Sequence, residues 1–224
     1  MIHYSDLKQI EELEDCRGGL IPEGVLDSES PVVLRNLLSE WPAVKAGRQS
    51  GSSAIEYIGQ FARQSPVTVY VGDAEIDGRF SYNDEFTGFN FRTGKVSLDE
   101  VLSKLDEQSG EEGAPTIYVG STPVDGWLPG FRAENDIDIP SDEVLVSFWL
   151  GSKSRVSAHF DFPDNVACVV AGHRRFTLFP PEQLANLYVG PLDKTPSGQA
   201  ISLVDFNNPD YDKYPRFADA LDAA

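Results

Sequence analysis

Val156-Ser157-Ala158-His159-Phe160-Asp161 is the stretch on which the reading of this 224-residue chain turns. An apolar run precedes it, Val144-Leu145-Val146-Ser147-Phe148-Trp149-Leu150-Gly151, and Asn165 and Gly172-His173-Arg174-Arg175-Phe176 follow it. Both runs are rich in β-branched and aromatic residues and are bracketed by Pro140, Ser141 and Pro163, so both are expected as strands. Residues two apart on a strand share a face. His159 and Asp161 are therefore expected on one face, with Phe160 on the other. An imidazole and a carboxylate so placed supply two of the three ligands of a 2-His-1-carboxylate iron site, which keeps positions open for a cosubstrate and oxygen. The bare triplet also has a plainer reading, a surface strand that carries a His–Asp pair.

Working outward, residues 144–150, 156–161, 166–171 and 175–179 read as successive strands with short connections, the pattern of a β-sandwich or barrel. Pro180-Pro181 closes the run, and residues 182–187 read as a short helix. Upstream, Ser5 is placed to cap a helix over residues 6–14, where Leu7, Ile10 and Leu13 recur at helical spacing. Residues 32–34 read as a short strand, and residues 37–41 as a helical turn stopped at Pro42. Ser52 or Ser53 opens a helix through residues 54–64, and residues 67–71 form a strand. Residues 72–94 carry Phe80, Tyr82, Phe86, Phe89 and Phe91 among turn formers, either as core packing or as a lid over a site. Ser97 with Glu100 forms a capping box for a helix over residues 98–108. Residues 116–120 are a strand, and residues 216–224 a helical tail.

Several separate pieces in one order then carry a resemblance: FWLGS (Phe148 onward), SAHFD, Asn165, AGHRRFTLFPPEQ, and Leu187-Tyr188. With PVVLRNLLSEWPA from Pro31, IYVGSTP from Ile117, SLVDF from Ser202 and PDYDKYPRF from Pro209, the chain resembles the cupin-like branch of the JmjC oxygenases, the group that includes the asparaginyl hydroxylase called factor inhibiting HIF. The resemblance implies a β-rich α+β domain with a double-stranded β-helix, or jelly roll, at its core. It implies one domain over residues 1–224, with an N-terminal helical α/β flank over 1–140 and the first part of the jelly roll over 141–224. It also implies an Fe(II)- and 2-oxoglutarate-dependent dioxygenase, a hydroxylase of a protein side chain or a small molecule. His159 and Asp161 would be the catalytic metal ligands. Arg174 stands where this branch carries a lysine for the far carboxylate of 2-oxoglutarate, and a guanidinium suits that task by two parallel hydrogen bonds. Tyr118 matches a tyrosine that reaches the same carboxylate, and Asn165 an asparagine beside the cosubstrate. A threonine of the family is Val156 here, so one hydrogen bond is missing. Each of these residues has a structural alternative: a solvated strand arginine, a core tyrosine, and a turn asparagine after Pro163-Asp164. His173 falls on the strand face opposite Arg174.

The family's second histidine ligand lies on a late strand that has no counterpart before Ala224, and the remaining histidines are His3 and His173. The last strands of the jelly roll are therefore expected to be missing. His159 and Asp161 are expected to face a common cavity, hydrogen-bonded to water or to each other, with the site empty or weakly occupied. An unpaired sheet edge would favour self-association into a homo-oligomer. The rival reading is a non-catalytic cupin-like binding or scaffold protein without a working metal triad. Composition narrows the partners. A net charge of −18 repels phosphate backbones, which argues against nucleic acid. Cys16 and Cys168 have no metal or redox spacing, and no apolar run is long enough for a membrane span. The N-terminus lacks the pattern of a signal peptide, and a reduced cytoplasmic protein is the expectation.

Overall fold

The computed structural model describes residues 7–141, 143–196 and 198–224. Two short strands come first, β1 (Glu11–Leu13) and β2 (Val32–Leu34), then helices α1 (Pro42–Gln49) and α2 (Gly51–Gly59). Strands β3 (Pro66–Gly72), β4 (Arg79–Phe80) and β5 (Arg92–Ser97) lead to helix α3 (Leu98–Glu107). Strand β6 (Thr116–Pro123), the short helix α4 (Val124–Trp127), β7 (Ser147–Gly151) and β8 (Arg155–Val156) follow, and α5 (Phe217–Asp222) lies near the end.

The central sheet has the order β5-β3-β6-β7, and its three pairings are all antiparallel. Alternation gives it two distinct faces. Val67, Val69, Ile117 and Val119 turn to one side and pack with Ala43, Leu98, Val101 and Leu102 from α1 and α3, forming the main core. Tyr70 lies opposite Tyr118, and Tyr118 opposite Gly151, so Tyr70, Tyr118 and Trp149 belong to the other face. Helix α3 starts where its sequence says it should: the Ser97 hydroxyl accepts from the Glu100 amide, and the Glu100 carboxylate accepts from the Ser97 amide. A second cluster of Val204, Tyr214, Phe217 and Ala220, with Phe179 and Phe206 against it, anchors the last segment.

Several expectations are corrected. Residues 11–13 are a strand and not the end of a helix, because they pair in parallel with Val32–Leu34 and Glu12 takes a forked ion pair from Arg35. Ser5 and Asp6 lie outside the described residues. Pro42 begins a helix instead of stopping one, since the first helical position needs no amide donor. Helix α2 is capped by Ser50, whose side chain accepts from the Ser53 amide, and it ends at Gly59. Of the expected strand over residues 156–161 only Val156 is strand, as the last residue of β8, and residues 166–171 and 175–179 are not strands. A strand exists only where a partner supplies ladder hydrogen bonds. β8 is paired for two residues with β4 and loses its partner where β4 ends at Phe80. The later segments still pack in part: Val170 lies against the main core, and a Cβ added to Gly47 of α1 would collide with Val170 O.

Candidate functional site

His159 and Asp161 sit just beyond the last paired residue of β8. The Nδ1 of His159 is 2.9 Å from the carbonyl oxygen of Ser157. A carbonyl only accepts, so Nδ1 is the donor in this contact and Nε2 is the ring nitrogen left for another partner. This is how a ligating histidine is usually oriented by a neighbouring carbonyl. Nε2 lies 4.0 Å from Oδ1 of Asp161. That distance is too long for a hydrogen bond, so the two side chains are neighbours without a direct bond between them. Both are partly open to solvent. The donor set, one imidazole and one carboxylate, fits a divalent first-row ion as two of its ligands. Among the described residues no group of three His, Cys, Asp or Glu side chains forms a fuller cluster.

Tyr118 and Arg174 are brought together on the aromatic face of the sheet. Burial pushes the Tyr118 phenol up to about 12, with the nearby Arg174 guanidinium pulling it down and Tyr70 adding to the rise. The guanidinium lies 4.6 Å from the centre of the Phe176 ring and 6.0 Å from that of Trp149. Cation–π contacts of this kind hold a charge in place without neutralising it. Among the described residues Arg174 has no carboxylate partner, despite the acidic composition of the chain. The surrounding wall is aromatic. Ring centroids lie 5.7 Å apart for Phe80–Tyr118, 6.0 Å for Tyr70–Tyr118 and 5.3 Å for Phe80–Phe91.

The residues 72–94 form that wall because two asparagines fold the segment back on itself. Asn83 Oδ1 accepts from the amides of Thr87 and Gly88. Asn90 accepts from the Ser81 amide and donates to Arg79 O. Phe80 and Tyr82 are consequently buried, and Phe86 remains exposed at the tip. The packing alternative thus holds for the inner rings. An ionic network ties this segment to β8: Arg155 reaches Asp205 at 2.9 Å and Asp77 at 3.2 Å, and Arg79 donates to Leu203 O.

Asn165 lies in the segment that follows Asp161. Its amide donates to Pro163 O, two residues back, at 3.1 Å, and it is exposed. His173 is exposed. Sequence reasoning singled out neither Tyr70 nor Trp149 for the site. The signal was there for Tyr70: Val67, Val69 and Val71 occupy one face of their strand, which assigns Tyr70 to the other.

Compared with known proteins, the chain matches the family described as a cupin-like domain over residues 20–224. JmjC domain-containing protein D of Dictyostelium discoideum is 26% identical over 207 residues, which covers 84% of this chain and 43% of that protein. Lysine-specific demethylase 8 of Xenopus tropicalis is 26% identical over 204 residues, 86% of this chain and 40% of that protein. The human bifunctional peptidase and (3S)-lysyl hydroxylase JMJD7 is 27% identical over 162 residues, 67% of this chain and 48% of that protein. The chain spans less than half the length of each of these relatives.

Proposed function

This chain belongs to the cupin-like domain family, and from that premise we propose that it is an Fe(II)- and 2-oxoglutarate-dependent oxygenase that hydroxylates a protein side chain or a small molecule. Its relatives include JmjC proteins named as a lysine demethylase and a lysyl hydroxylase, which favours this class over other cupin-like roles. The family's jelly roll is the architecture in which the antiparallel sheet described above would serve. The observations that carry the reading are two separate pairs: an imidazole and a carboxylate at His159 and Asp161, and a cation near a half-buried phenol at Arg174 and Tyr118.

In this reading His159 and Asp161 hold the metal. The bound iron and 2-oxoglutarate supply the oxidising chemistry, in which oxygen is reduced as the 2-oxo acid loses carbon dioxide and becomes succinate. The chain's own residues bind and orient. The proton on His159 Nδ1, held by Ser157 O, keeps Nε2 as the ligating atom. Arg174 pairs with the far carboxylate of the cosubstrate. Tyr118, with its phenol raised to about 12, stays protonated at neutral pH and so acts as a hydrogen-bond donor to that carboxylate. Phe80, packed against the Tyr118 ring and backed by Phe91, displaces water from beside it, which strengthens both interactions by lowering the local dielectric.

The test is release of succinate from 2-oxoglutarate by the natural full-length protein with Fe(II) under oxygen. Turnover that His159→Ala abolishes is the expected result. No turnover, with no binding of 2-oxoglutarate, would overturn the oxygenase reading and leave a cupin-like scaffold.

A further inference from the structure

We infer that Tyr70 is a second phenolic donor to the far carboxylate of the cosubstrate, and thereby a positioning residue that selects a dicarboxylic over a monocarboxylic 2-oxo acid. The inference rests on the reading of Tyr118 and Arg174 given above. Tyr70 of β3 is the direct register partner of Tyr118 of β6, so the two side chains leave the sheet on one face. Their rings are 6.0 Å apart and inclined at 52°. Tyr70 is near enough to act electrostatically on the Tyr118 phenol, as is the Arg174 charge. Three groups able to donate to an anion therefore gather from β3, β6 and the segment after β8.

Nothing within the fold uses these donors. Among the described residues neither phenol has a hydrogen-bond partner, and Arg174 contacts rings. A tyrosine kept only for packing against Phe80 and Phe91 would gain nothing from its hydroxyl. Gly120, two residues beyond Tyr118 on the same face, leaves a notch beside both rings. A Cβ there would stand 3.6 Å from the Tyr118 ring and 3.7 Å from the Tyr70 ring. A carboxylate has two oxygens and about four acceptor positions, enough for a guanidinium and two phenols. Val156 is held beside Phe80 by strand pairing and offers no hydroxyl, so Tyr70 supplies a donor that this neighbour cannot.

Tyr70→Phe keeps the ring and its packing and removes only the hydroxyl. With Mn(II) bound to the full-length protein, binding of 2-oxoglutarate and of 2-oxobutyrate is followed by water-proton relaxation, which detects weak as well as tight binding. 2-Oxobutyrate has the same metal-facing end and no far carboxylate. Tyr70→Phe should weaken 2-oxoglutarate about tenfold and leave 2-oxobutyrate unchanged. Equal weakening of both acids, or of neither while Tyr118→Phe and Arg174→Ala still weaken 2-oxoglutarate, overturns the role of Tyr70 and spares the oxygenase reading. If the unsubstituted protein binds no 2-oxoglutarate, both fall together.

Discussion

At the scale of single residues, charge and burial separate the groups that can act from those that pack. Arg174 is a cation held against Phe176 and Trp149. Arg174→Ala should weaken 2-oxoglutarate by about 2 kcal/mol, near the low end for a charge-assisted pair because the side chain is exposed. Isothermal titration with Mn(II) in place of Fe(II) measures this, and unchanged affinity would remove Arg174 from the site. Cys168 illustrates packing. Burial, with Asp136 adding to it, raises its thiol from 9.0 to about 11. The unfolded thiol therefore loses its proton first as pH rises. The stabilisation is complete below about pH 9 and is lost progressively up to about pH 11, in total about 3 kcal/mol. Urea unfolding at pH 8.5 and 10.5 should show a larger alkaline loss for the natural protein than for Cys168→Ala.

At the scale of elements, the β6–β7 pairing places the site. It sets Tyr118 opposite Gly151 and aligns Trp149 on the same face. Gly151 is needed for closeness, since a Cβ there would lie 2.6 Å from Ile117 O and 3.4 Å from the Tyr118 ring. Gly151→Ala should destabilise the protein by about 2 kcal/mol through the backbone shift that overpacking forces. Chemical denaturation reads that loss, and a near-neutral result would show that the strands can separate without cost. Much of this level was legible in advance. The valine alternation of residues 67–71 and the Ser97/Glu100 capping box are local signals; local hydrogen bonds close the box, and β5 and β6 supply the ladder of β3. The N-terminal strand β1 was not legible. Leu7, Ile10 and Leu13 have helical spacing, but the pairing of β1 with β2 and the Arg35–Glu12 fork come from more than twenty residues away.

At the scale of the whole molecule, the aromatic wall, β8 and the last third of the chain are joined by one charged network. Arg155 bonds Asp77 O, Asp77 and Asp205, and Arg79 bonds Leu203 O. Arg155→Ala would leave Asp205, whose side chain is 28% exposed, without its ion-pair partner and with only the more distant charge of Arg79. It should cost about 2 kcal/mol in unfolding free energy. Hydrogen exchange should show the loss of protection concentrated in residues 77–80 and 201–205. Uniform loss across the sheet would mean that the network does not join these parts. The acidic excess of the chain makes such arginines scarce, and most of their carboxylate partners lie on the surface, where pairing contributes little.

The amino-acid sequence alone singled out His159 with Asp161 and Tyr118 with Arg174 as candidates, and determined the strand periodicity of β3 and β6 and the start of α3. Each of these depends on residue types at short spacing or on a recognisable order of motifs. Tertiary structure alone decided which strand-like segments become strands. Residues 166–171 and 175–179 have the composition of strands, yet a strand is a paired object and its partner is not written in its own residues. Tertiary structure also set Tyr70 beside Tyr118 and turned Asn165 back onto Pro163 O, because register and turn closure depend on which backbone groups meet across the fold.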